Sequence, residues 1–98
     1  MTHRIYRVTS FTIEAAYTLR VGFDDGSEQV IDLQPVLEGE LYRPLREKSL
    51  FDRVRIDPEV QTLAWPNGAD FDPETLHDWP EHADALAQRA KAWKIHAA

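Results

Sequence analysis

The chain has 98 residues, a formal net charge of −6 and no cysteine. That length holds one domain, residues 1–98, with one modest core, so a surface groove or shared interface is expected rather than a deep enclosed cleft. The acidic balance argues against phosphate-backbone binding, which rests on positive charge and counterion release, and the lack of cysteine excludes disulfides, thiolate metal sites and cysteine nucleophiles. Apolar residues at 43% and charged residues at 29% are the proportions of a folded globular chain.

The start, Met1-Thr2-His3-Arg4-Ile5, has no apolar stretch of signal-peptide type. No apolar run approaches the ~20 residues of a membrane span. The cytoplasm of a bacterial or archaeal cell is the expected location. Residues 4–13 are rich in β-branched and aromatic side chains and predict a first strand. The apolar parity changes between Tyr6/Val8 and Phe11/Ile13, which predicts a bulge near Thr9 and Ser10. Tyr17, Leu19, Val21 and Phe23 alternate strictly with Thr18, Arg20, Gly22 and Asp24, the pattern of a strand with one buried face. Asp25-Gly26 then predicts a tight hairpin turn into a third strand over residues 28–33.

Pro35 and Gly39 end that strand, and Leu41, Leu45 and Phe51 suit one or two short helical turns. Residues 53–56 and 61–65 predict a fourth and a fifth strand, joined by the turn Asp57-Pro58-Glu59. Pro66-Asn67-Gly68 breaks the fifth. Asp72-Pro73-Glu74 reads as a helix start with Asp72 as N-cap, in a helix running to about Trp79, where Pro80 interrupts it. Residues 81–96 predict a second helix. Ala83, Leu86, Ala90 and Trp93 form its narrow apolar stripe, and its acidic start and basic end match the helix dipole.

Few residues point to chemistry. The basic residues Arg43, Arg46, Lys48, Arg53 and Arg55 are interrupted by Glu47 and Asp52, so no nucleic-acid surface is expected. Asp70, Asp72 and Glu74 begin like a calcium loop but lack its glycine and distal glutamate. His77 and His82 are five apart and do not share a helix face as a zinc pair would. Ser10, Ser27 and Ser49 stand in turn-like contexts without a nucleophile elbow, and the glycines are isolated, so no phosphate loop is present. Catalytic, cofactor-binding and metal-ligating residues are therefore expected to be none.

Asp32 shares parity with Val30 yet is charged, and reads either as a cap on the following segment or as a binding residue. The most distinctive stretch is Trp65-Pro66-Asn67-Gly68-Ala69-Asp70. One reading is a rigid structural corner. The other is a surface ridge with an aromatic anchor, the residue type that dominates interface hot spots.

The order Y-T-L-R-V-G-F, D-D-G, V-I-D-L, P-V-L-E-G-E-L-Y, then Leu50-Phe51, W-P-N-G-A-D and D-P-E-T-L is similar to the small bacterial family catalogued as domain of unknown function 2442. The resemblance covers about residues 4–79. It implies a small antiparallel sheet with short helices and no established activity. It also implies a gene beside that of a small partner, in an arrangement like a toxin–antitoxin pair. Some relatives carry an added helix-turn-helix domain. This chain has a single helix over 81–96 at that place, so DNA binding is not carried over, and the family defines no catalytic residues to transfer.

The expectation is an α+β domain: a small antiparallel sheet of four to five strands over about residues 4–79, short helices, and a C-terminal amphipathic helix. The functional expectation is a non-enzymatic protein-interaction module, antitoxin-like, partnered by a small basic protein, with no membrane contact. The Leu86/Ala90/Trp93 stripe is a candidate for homo-oligomer contact. The alternative is a small-ligand or metal-binding protein or enzyme with a site near Asp70, Asp72 and His77.

Overall fold

Alternating apolar and polar side chains build a three-stranded antiparallel sheet in the order β1 (Val8–Ala15), β2 (Thr18–Phe23), β3 (Glu28–Asp32). The computed structural model describes residues 6–97, with side chains as far as residue 92. Arg4 and Ile5 of the expected first strand, and the Trp93 side chain, lie outside the described residues. Leu19, Val21 and Phe23 of β2 turn to the core at 0%, 0% and 3% exposure. Ile31 of β3 lies opposite Leu19 on the same face. The pairing slips by one residue between Val8 and Ser10, the place where the apolar parity changes, and again between Ile13 and Ala15.

The β1–β2 turn holds Tyr17 at φ 59°, a left-handed conformation that few side chains adopt. Its ring meets Phe51 edge-on at 5.3 Å, its hydroxyl donates to the Arg46 carbonyl, and its own carbonyl accepts from the Leu33 N–H. The β2–β3 turn is looser than the expected two-residue type. Only Gly26 has positive φ, the Gly26 N–H donates to the Phe23 carbonyl, and Phe23 pairs with Ser27 around a three-residue loop.

The expected single sheet of four to five strands is not formed. β4 (Arg55–Asp57) and β5 (Thr62–Ala64) make a separate two-stranded antiparallel ladder. Prolines at 58 and 66 confine it to three residues a side. It meets the first sheet where the Val8 N–H donates to the Gln61 carbonyl at 2.9 Å.

The connection from β3 is a chain of short turns: a 3₁₀ turn at Gln34–Val36, α1 (Gly39–Tyr42), a 3₁₀ turn at Arg43–Arg46 carrying Pro44, and α2 (Lys48–Phe51). α3 (Pro73–His77) starts as its sequence predicts, with the Asp72 carboxylate accepting the Thr75 N–H at 3.3 Å. The last helix, α4 (Trp79–Ala97), is 19 residues long. Pro80 opens this helix instead of interrupting the one before it, because the first turn needs no amide hydrogen from that position.

The core joins both sheets and the short helices. Leu19, Ile31, Leu45, Phe51, Leu63 and Leu76 are fully buried, and Trp65 is 2% exposed. α4 packs on the Gln34–Val36 turn, α1 and α3. Ala90 is buried there, and Ala83 and Leu86 are half-buried against the core. Among the described residues, no helix is long and apolar enough to cross a membrane.

Candidate functional site: a groove beside the last helix

α4 does not close flush against the body of the domain. Between it, α3 and α1 lies a groove of ≈ 300 Å³. Val36, Phe71, Leu86 and Ala90 supply apolar lining. Glu38, Asp70 and Asp72 bring carboxylates to the same groove, against the single guanidinium of Arg89. Glu38 is engaged by Arg46, and Asp72 caps α3. The Tyr42 hydroxyl donates to the Asp70 carbonyl at 2.8 Å, and its ring lies 5.0 Å from that of Phe71. Burial, with the nearby Asp70 carboxylate second, raises the Tyr42 pKa above that of a free phenol. The phenol therefore serves as a neutral hydrogen-bond donor.

The corner at residues 65–70 forms one end of this region. Trp65 does not stand on the surface. Its ring lies between Phe51 and Phe71 at 5.7 and 5.9 Å, and its indole N–H donates to the Phe51 carbonyl at 2.9 Å. The chain reverses through Gly68 at φ +90°, closed by Gly68 N–H to Trp65 O and Trp65 N–H to Ala69 O. Asn67 fastens the corner outward and inward. Its amide donates to the Leu41 carbonyl at 3.0 Å, and its carbonyl accepts the Ala69 N–H at 3.2 Å. Asp70 forms a bridge with Ala64 and leaves its side chain exposed. Asp32 does not line the groove; it lies on the exposed face of β3, where its carboxylate accepts the Gln34 N–H at 3.0 Å.

Asp70 and Asp72 share the groove, but His77 does not join them. Its ring stacks on Tyr6 at 3.6 Å and 12°, and meets Phe23 edge-on at 5.0 Å. Nδ1 lies 2.8 Å from Asp78 Oδ1, and Nε2 lies 2.8 Å from Asp25 Oδ2. Carboxylates only accept, so both ring nitrogens must donate, and only the imidazolium does that. Burial works against the charge, but the hydrogen bonds to Asp78 and Asp25 outweigh it and raise the His77 pKa above 6.5. The Asp25 carboxyl is held well below the usual carboxylate range, chiefly by the Ser27 hydroxyl and N–H, then by His77. Sequence spacing gave no sign of this cluster, since Asp25 and His77 are 52 residues apart. Among the described residues, no group of three His, Asp or Glu side chains is arranged to hold a metal.

Fold and groove together define a small α+β domain with a carboxylate-bearing groove at its helical end. The family model described as "Protein of unknown function (DUF2442)" matches residues 8–82, and the chain belongs to that family. The match takes in both sheets, the corner, α3 and the first residues of α4. No curated protein and no solved structure matches the chain.

Proposed function

We propose that this chain is a non-enzymatic protein-interaction module, the acidic member of an antitoxin-like pair whose partner is a small basic protein. The observation that carries this reading is the groove: apolar lining between α1, α3 and α4 beside the exposed Asp70 carboxylate, with Glu38 paired to Arg46 and Asp72 capping α3. A segment carrying apolar and basic side chains complements both features. Net charge −6 gives long-range attraction of the same sign, which speeds association with a basic partner.

The test is affinity capture of the tagged chain at native expression in its host, with Asp70→Lys in parallel. Asp70 is exposed at the rim, so this charge reversal leaves folding intact while opposing a basic ligand. The expected result is one stoichiometric basic protein held by the wild-type chain and depleted from the variant. No partner on either chain, or equal recovery on both, overturns the proposal.

A further inference from the structure

We infer that His77 is a proton-operated latch: with both ring nitrogens protonated it pins the tip of the β2–β3 hairpin, residues 24–27, to the junction of α3 and α4, and on losing the Nε2 proton it lets the tip go. The inference is independent of the groove. Tyr6, ahead of β1, stacks on the ring, and Phe23 at the end of β2 meets it edge-on, so the ring plane is fixed. Nδ1 then addresses Asp78 at the junction and Nε2 addresses Asp25 at the tip, each at 2.8 Å. The His77 and Asp25 side chains are 17% and 15% exposed, shielded enough for a strong contact and open enough for a proton to pass. The other charged or titratable groups on these elements are Arg7 and Asp24 beside the tip, Glu74 on α3, and Glu81 and His82 on α4. Among the described residues, none of these hydrogen-bonds to the ring; the Asp24 carboxylate accepts the Arg7 N–H instead.

A neutral imidazole carries one N–H. Asp78 is the next residue in the chain and stays beside Nδ1, so the proton that leaves is the one on Nε2. The Nε2 lone pair then faces a carboxylate oxygen at 2.8 Å, a repulsive contact where a charge-assisted hydrogen bond stood. Asp25 stays ionised throughout, because its carboxyl is held well below the usual carboxylate range. Leaving the ring does not orphan it. Its Oδ1 accepts the Ser27 N–H at 2.9 Å and the Ser27 hydroxyl at 2.5 Å. The other tie between hairpin and α3, the Gln29 amide to the His77 carbonyl at 2.8 Å, involves no titrating group. β3 therefore stays seated and only the tip moves. The same contacts define a variant of opposite sign. In Asp25→Asn the Ser27 N–H holds the amide oxygen at the Oδ1 position, so the NH2 group points at Nε2. It donates to the neutral ring and opposes the imidazolium.

The experiment is NMR on the full chain from about pH 5.5 to about pH 9, a range that spans imidazole titration. Ring carbon shifts follow the charge of His77. Cα relaxation of Asp25, Gly26 and Ser27, which solvent exchange does not erase at high pH, follows the order of the tip. In the wild type the order parameter of the tip is expected to fall from about 0.85 to below about 0.6 across the His77 titration. In Asp25→Asn the dependence is expected to invert, with the tip more ordered at the alkaline end, and the His77 titration to move down by about one pH unit or more. His77→Gln has no titrating ring and is expected to show no transition at the tip. A wild-type tip equally ordered at both ends of the range overturns the inference, whatever the variants do. So does an Asp25→Asn tip that loosens with rising pH as the wild type does, or a transition that persists in His77→Gln.

Discussion

Trp65→Phe separates a core role from a surface role at the most distinctive residue of the chain. The indole is 2% exposed and donates to the Phe51 carbonyl at 2.9 Å. Phenylalanine keeps a ring against Phe51 and Phe71 but removes the donor and leaves a void of about 40 Å³, which at ~24 cal/mol per Å³ is about 1 kcal/mol. The Phe51 carbonyl still accepts the Val54 N–H at 3.2 Å, so the lost hydrogen bond costs about 1 kcal/mol rather than the larger penalty of an orphaned group. The sum is about 2 kcal/mol. For a domain of this length each kcal/mol moves Tm by about 4–8 °C, so a fall of roughly 8–16 °C is expected. Thermal unfolding by circular dichroism reads the fall in Tm, and a urea titration with a lowered midpoint and unchanged slope reads the free energy. Affinity for the proposed basic partner below the transition is expected to stay as in the wild type. A variant that loses binding of the proposed partner while losing less than about 0.5 kcal/mol of stability would refute the packing argument.

The other expectations concern charge and backbone. The raised His77 pKa gives stability that is complete below about pH 6.5 and lost as pH rises through the folded value. The lowered Asp25 pKa gives stability present above about pH 4 and lost as pH falls. The stability gap between wild type and His77→Gln is therefore widest near pH 5–6 and narrower at pH 9, as urea midpoints across that range will show. Gly68→Ala places a side chain at φ +90° and is expected to cost about 1–2 kcal/mol by the same titration, with open space around it giving no further clash. Asp72→Ala removes the α3 cap and is expected to cost about 0.5–1 kcal/mol; no loss at all would contradict the capping geometry.

The hairpin of β2 and β3 was legible because Leu19, Val21 and Phe23 alternate with polar residues and one face is buried. The bulge beside Ser10 was legible from the parity change alone. The division into two sheets was not. β4 and β5 are three residues each, and local pattern carries no information on whether so short a ladder joins its neighbour. Pro80 misled because proline marks both the end of one helix and the first turn of the next, and only packing decides between them. Of the site residues, the bend at Asn67-Gly68 follows from turn chemistry. The burial of Trp65 does not, since it depends on Phe51 and Phe71 closing around it. The separation of His77 from Asp70 and Asp72 was equally hidden, because tertiary packing turns it towards Asp25.

α1 is four residues long, far below the length at which a helix persists in water by itself. Two bonds tie it to the corner, one from the Asn67 amide to the Leu41 carbonyl and one from the Tyr42 hydroxyl to the Asp70 carbonyl, spanning 26 and 28 residues. The helix and the corner are therefore expected to open together. Their amides are expected to share a single free energy of hydrogen exchange, below that of the β2–β3 ladder. A ligand seated in the groove would slow exchange in both segments together, and the hydrogen-bonded amides at this place, those of Trp65, Gly68 and Ala69 among them, become a built-in reporter of occupancy that needs no label.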